Sequence, residues 1–258
     1  PNSVFETPER PIAKLTEYVD GVRRTCEQEH TPLVDCYAAY EAVRSEDPFK
    51  WLMLMSDEIH PNMAGHKLLA EMIAEAVSGE PVSLEREGPP QPALPKTLAL
   101  LKEGKPVRVY AMPPYDSLAP SALKSIVPDA QAEVTSWPVA GLTLPQLEES
   151  AKNVRDLKPD LVIVAVPIDA TADSKEQAIQ SYKWVLNYAL SFAHQEWDCL
   201  AVAPSVTTPV VGANMQEQDR LARALIGAQD IGMVERKAGD SRAPEEIFAE
   251  WLREQITG

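Results

Sequence analysis

An aspartate and a histidine three residues apart stand at Asp57-Glu58-Ile59-His60-Pro61, and Asn62-Met63-Ala64-Gly65-His66 carries the chain into a helical pattern over Lys67–Val77. A carboxylate at that distance from an imidazole, followed by turn-forming proline, asparagine and glycine, holds both groups on one short turn. Serine-hydrolase chemistry uses such a pair: the carboxylate fixes the imidazole tautomer, and the imidazole takes the proton of the nucleophile. Two other readings compete for the same residues. Asp57 could cap the helix that starts at Pro61, leaving His60 a surface residue. Asp57, His60 and His66 are also zinc ligands by type, although the spacing of the two histidines puts their rings on different faces of turn and helix.

The elements that must position this turn are legible as patterns. Ile12, Leu15, Val19 and Val22 predict a helix over Ile12–Glu29, with Pro11 near its first turn. Pro32–Tyr37 reads as a short buried strand, and a loop through Asp47–Trp51 leads to the turn. In the helix that follows, Leu68, Leu69, Met72, Ile73, Ala76 and Val77 form the expected buried stripe. Residues 79–97 carry five prolines and few large apolar side chains, the composition of a semi-extended linker.

From Pro106 a new series begins. Strands are predicted at Val107–Met112, Ala132–Trp137, Asp160–Val166, Cys199–Val206 and Ile231–Glu235. Helices are predicted at Leu147–Leu157, Ser174–His194, Gln216–Gly227 and Pro244–Gln255. Such alternation with short connections implies an α/β fold with a doubly wound parallel sheet. The order helix, strand, loop, acid, closing helix occurs at 12–78 and again at about 216–256. At the turn, Asp57-Glu58-Ile59-His60-Pro61 aligns with Asp240-Ser241-Arg242-Ala243-Pro244. Acid and proline recur at equal spacing, and alanine stands where the histidine was. Residues 1–78 therefore read as the tail of one α/β module and residues 98–258 as a second, complete one.

Bulk properties exclude some partners. With 24 Lys and Arg against 39 Asp and Glu, the net charge of −15 argues against a nucleic-acid backbone or an anionic membrane surface. No apolar run approaches the roughly 18 residues of a membrane span, so a soluble protein is expected. Cys26, Cys36 and Cys199 are sparse and lack metal-ligand spacing, which reads as buried or free thiols; a Cys26–Cys36 disulfide would require export. The first residue, Pro1, reads as a processed or truncated end, so the compartment stays open.

These segments resemble the SGNH hydrolase (GDSL esterase/lipase) family. The most specific piece is Asp57…His60-Pro61-Asn62…Gly65; Lys158-Pro159-Asp160-Leu161-Val162 leading into a strand is also typical. The resemblance implies a flavodoxin-like three-layer sandwich on a five-stranded parallel sheet. A serine follows the first strand, an oxyanion glycine the second, an oxyanion asparagine the third, and an Asp-x-x-His pair precedes the last helix. Carried over, His60 is the general base and Asp57 its orienting acid, while the serine, glycine and asparagine of that module would lie upstream of Pro1. Ser3 follows no strand and no glycine turn. In the second module, Tyr115-Asp116-Ser117-Leu118 aligns with the Gly-Asp-Ser-Leu block, with Tyr in the glycine slot and two extra prolines before it, making Ser117 the candidate nucleophile. Gly141 aligns with the oxyanion glycine, Ile168 replaces the asparagine, and Ala243 replaces the histidine.

The implied function is hydrolysis of an acyl or acetyl ester, carbohydrate esters included, through a Ser-His-Asp triad with no metal and no organic cofactor. The second module is expected to be nearly inert. One lost oxyanion donor typically costs about 2.7–4 kcal/mol, and triad losses reach about a million-fold. Two rival readings remain. The chain is a non-catalytic binding module for a saccharide or protein ligand, or Asp57 and His60 serve Ser117 of the same or a neighbouring chain in a composite site. Helices of the incomplete first module should leave apolar surface exposed, inviting self-association or a companion chain. Outside these motifs, His30 and His194 suit helix ends, and Trp137, Trp184, Trp197 and Tyr115 are candidates for a ligand groove or for the core.

Overall fold

Leu161-Val162-Ile163-Val164 offers an apolar side chain at every position, and only a strand covered on both faces buries all four. In the computed structural model, which describes residues 12–57, 59–191 and 196–257, each of the four is at most 1% exposed. The chain divides into two units, Pro1–Glu87 and Gly88–Gly258.

The first unit is helical: α1 (Ile12–Gln28), α2 (Cys36–Glu46), α3 (Pro48–Leu52) and α4 (Met63–Ser78). The second begins with α5 (Pro95–Lys102) and β1 (Val107–Ala111), then α6 (Tyr115–Ile126), β2 (Ala132–Ser136), α7 (Leu144–Ala151) and α8 (Val154–Leu157). It continues through β3 (Leu161–Val164), α9 (Lys175–Ala189), β4 (Asp198–Val202), α10 (Pro204–Thr207), α11 (Gly212–Gly227), β5 (Gly232–Val234) and α12 (Pro244–Thr257).

The five strands form one parallel sheet in the order β2-β1-β3-β4-β5. α6 packs against α12, while α7, α8 and α11 pack around α9; right-handed crossovers put these groups on opposite faces. The α/β, flavodoxin-like three-layer expectation is therefore met by the second unit. Connections leave β1 and β3 in opposite directions, so the carboxyl ends of those strands flank the switch point where such sheets bind ligands. The amino end is held by charge. Arg108 grips Asp160 with two guanidinium nitrogens at 2.9 Å each, and Lys96 Nζ lies 3.1 Å away. Burial alone would raise the Asp160 carboxyl, but hydrogen bonds from Arg108 and Lys96 bring it down to about 2.

Several expectations are corrected. Pro32–Tyr37 forms no strand; Asp35 accepts a hydrogen bond from the Ala38 amide and caps α2, a helix the hydrophobic pattern does not announce. A strand's backbone groups need a neighbour, and among the described residues of this unit there is no other strand, only an isolated bridge between Met55 and Pro61. The order of elements in 12–78 thus does not repeat that of 216–256. The proline-rich linker stops short of 97: Leu94 is fully buried, and the Asp198 carboxylate accepts from the Lys96 and Thr97 amides to cap α5. The helix predicted at Leu147–Leu157 starts at Leu144 and is divided into α7 and α8. His194 and Ser3 lie outside the described residues.

The predicted stripe of α4 is buried only in part. Ile73 is 50% and Val77 84% exposed, and Tyr18 and Val22 of α1 are 75% and 52% exposed, so the expected apolar surface is present. The three cysteines are free. Trp137, Tyr115 and Trp197 are core residues; Trp137 stacks on Tyr110. No helix among the described residues is long and apolar enough to cross a membrane.

Candidate active site

The turn that carries Asp57 and His60 is closed by backbone before any side chain acts. The Ser56 amide donates to the His60 carbonyl at 2.9 Å and the Asn62 amide to the Leu54 carbonyl at 3.0 Å. Inside this loop, one oxygen of Asp57 accepts from the Ile59 and His60 amides, both at 2.8 Å. This is the local turn that aspartate favours. The other oxygen lies 2.7 Å from His60 Nδ1. An ionised carboxylate only accepts, so Nδ1 is the donor in this contact, the tautomer whose neutral form has its lone pair on Nε2.

One carboxylate therefore fixes both the backbone and the ring of His60. Burial pushes the Asp57 carboxyl up; the hydrogen bonds from the His60 ring and the two amides outweigh it and hold the group below its ordinary value. The Asp57 side chain is 10% exposed and that of His60 69%. A buried acid behind an accessible imidazole is the arrangement a general base requires.

The helix behind the turn is seated by residues whose roles the spacing only partly reveals. Asn62, not Asp57, caps α4: its side-chain oxygen accepts from the Gly65 amide at 3.0 Å. Its amide nitrogen donates to the Met53 carbonyl at 2.7 Å. Gly65 is required by close approach. A Cβ there would sit 2.3 Å from the Leu54 carbonyl oxygen and 2.6 Å from the Tyr40 hydroxyl, so any side chain would push α4 off the segment that frames the turn. The described residues contain no cluster suited to a metal ion, His66 included. Among them, no serine hydroxyl of this unit hydrogen-bonds to the His60 ring, whose partner is Asp57.

Ser117 belongs to the second unit. It lies in the first turn of α6, just past the carboxyl end of β1, and is exposed. Its amide donates to Asp116 at 2.8 Å and its hydroxyl to the same oxygen at 3.4 Å. Ser136, at the end of β2, donates to the other Asp116 oxygen at 2.6 Å. The partner of Ser117 is thus a carboxylate, and the described residues of this unit include no histidine.

Gly141 has φ +72° with open space around it, in a turn where the Leu142 amide donates to the Val139 carbonyl. Positive φ is what a turn glycine supplies, and no hydrogen bond among the described residues joins Gly141 to Ser117. Ile168 is 8% exposed, and its side chain offers no donor.

The second Asp–Pro turn is held differently. Asp240 accepts from the Arg242 amide at 3.0 Å and from its guanidinium at 2.6–3.1 Å, which together hold the carboxyl at about 2. Arg236 donates to the carbonyls of Ser205, Val206, Asp240 and Arg242 and pins this turn to α10. Comparison with family models, characterised proteins and solved structures returned no match.

Proposed function

We propose that Asp57 and His60 are the acid–base half of a serine ester hydrolase site of the SGNH type, acting on acyl or acetyl esters, with carbohydrate esters among the candidates. The observation that carries this reading is the 2.7 Å contact between Asp57 and His60 Nδ1, with the His60 side chain largely exposed. In the proposed mechanism Nε2 takes the proton of a serine hydroxyl as it attacks the ester carbonyl. The same nitrogen returns the proton to the leaving alcohol, and a second round with water frees the acyl group. In the family's order the serine precedes the dyad, so the reading assigns the nucleophile to residues this chain does not contain.

The second unit is read as non-catalytic. Its acid is taken up by Arg242, alanine stands in the place of the base, and Ile168 closes the place of an oxyanion donor with apolar surface.

The test is hydrolysis of p-nitrophenyl acetate by this chain, and by the chain extended with whatever its coding sequence supplies before Pro1, each beside His60→Ala and Ser117→Ala. The extended form is expected to be active, to lose about a million-fold on His60→Ala and to be indifferent to Ser117→Ala. Activity that survives His60→Ala, or an extended form no faster than buffer, would overturn the reading. Activity of the chain by itself that vanishes with either substitution would replace it by the composite site.

A further inference from the structure

Asn62 is 4% exposed, and each of its hydrogen-bonding groups is engaged. Its backbone amide donates to the Leu54 carbonyl at 3.0 Å, and its own carbonyl accepts from the His66 amide at 2.8 Å. Its side-chain oxygen accepts from the Gly65 amide at 3.0 Å, and its side-chain nitrogen donates to the Met53 carbonyl at 2.7 Å. Capping by itself does not call for asparagine. Serine, aspartate and asparagine cap helices about equally well, because each offers an oxygen to the unpaired amides. Among these three, only asparagine joins that acceptor to an amide donor on the same carbon. Here the donor reaches out of α4 to Met53, the residue that ends α3. One side chain therefore ties the start of α4 to the end of α3.

Between those two ends lies the turn that carries Asp57 and His60. Its neck is closed by the Ser56 amide on the His60 carbonyl and the Asn62 amide on the Leu54 carbonyl, either side of the isolated bridge between Met55 and Pro61. So short a ladder, with no third strand beside it, is marginal on its own. Asp57 and His60 hold each other by bonds inside the loop, so local order fixes the pair but not where the pair stands. The Asn62 side chain adds a rung at the base of the neck, and its far end is anchored. Trp51 of α3 is 2% exposed, and the Asp47 carboxylate caps that helix by accepting from the Phe49 and Lys50 amides. Position matters to a base, since a displacement of about 1 Å can cost a hundredfold in rate.

We propose that Asn62 is a positioning residue: through its bond to the Met53 carbonyl it sets where the His60 imidazole stands relative to α3 and α4, a task separate from capping. For its catalytic consequence the inference rests on the reading of His60 as a general base; the tie itself does not.

The test compares the full chain with Asn62→Ser and Asn62→Asp, both of which keep a capping oxygen and lose the donor. Amide exchange followed by NMR is expected to release the Ser56 amide about tenfold faster in both variants, with the Gly65 and His66 amides of α4 unchanged. Undiminished protection of Ser56 in either variant, or losses at Gly65 and His66 as large as at Ser56, would reduce Asn62 to a cap and overturn the proposal. The extended, ester-hydrolysing form supplies the catalytic readout. There kcat should fall by up to about a hundredfold at constant KM, and a rise in KM at constant kcat would equally overturn it. Failure of the hydrolase reading shows separately, as an unsubstituted extended form no faster than buffer. In that case the exchange of Ser56 still decides whether Asn62 holds the turn.

Discussion

The chain contains two turns built on one formula, an acid followed four residues later by a proline and a long helix, and they end in different chemistry. At Asp57 the carboxylate accepts two backbone amides and an imidazole nitrogen, and the ring it orients is exposed. At Asp240 the carboxylate accepts one amide and a guanidinium from the same residue, Arg242. The first arrangement leaves a basic nitrogen free to work, whereas the second ends in a closed ion pair. Behind the turns the contrast continues at equal offset. Gly65, five residues after His60, admits close approach of backbone to α4, whereas Phe248, five residues after Ala243, is fully buried and meets Tyr115 edge-on at 4.9 Å. Recurrence of acid and proline thus specifies a turn, and the residues between and after them decide whether it can act as a base.

The sharpest way to break this comparison is Asp57→Asn in an ester-hydrolysing form of the protein. Tautomer control would be lost, and kcat is expected to fall by about ten thousand-fold; Asp240→Asn in parallel should leave it unchanged. Next in size is Phe248→Ala, expected to destabilise the second unit by about 3–5 kcal/mol in urea unfolding. Gly65→Ala adds a carbon at the same offset in the first unit and is expected to cost about 1–3 kcal/mol, with exchange of amides in α4 accelerated. Should both substitutions prove neutral, the contrast in how the two helices are seated is wrong.

A smaller effect separates the acids themselves. Both carboxyls lie below the ordinary value of 3.8. A depressed folded-state value means stability that is present above the unfolded value and lost as pH falls through the folded one. For Asp240 that window runs from 3.8 down to about 2. Titration followed by carboxyl-carbon NMR should show Arg242→Ala returning Asp240 most of the way to the ordinary range while Asp57 stays put, and His60→Ala raising Asp57 alone. The least change is expected from Arg242→Ala combined with Ala243→His. It rebuilds an Asp-x-x-His pair but supplies no oxyanion donor at Ile168, so ester hydrolysis by the second unit should remain at the level of buffer. A gain in rate there would show that the missing base was all that silenced it.

The Asp57–His60 pair was legible from the sequence because every contact it makes lies within a few residues. Spacing by itself puts carboxylate, amides and ring within reach. The sheet was legible because apolar runs such as Leu161–Val164 leave few alternatives to a doubly covered strand. Pro32–Tyr37 shows where that logic stops, since a short, mostly apolar run is only a potential strand until a neighbour pairs with it. The Asp35 cap of α2 was a local signal that the apolar run hid. The interruption of Asp240 by Arg242 also had a sequence signal, a cation two residues after the acid.

Local covalent order and side-chain type were enough to determine the Asp-x-x-His turn, the alternation of strands and helices and the absence of a base at Ala243. Tertiary structure alone decided three things. It chose Asn62 rather than Asp57 as the cap of α4, because the cap depends on where the chain enters the helix. It made Gly65 indispensable, because the Leu54 carbonyl arrives from another segment. It also tied the Asn62 side chain to the Met53 carbonyl at the end of α3. Short-range geometry follows from bond lengths and turn preferences, whereas such ties and close approaches come from how separate elements pack, which no spacing of residues records.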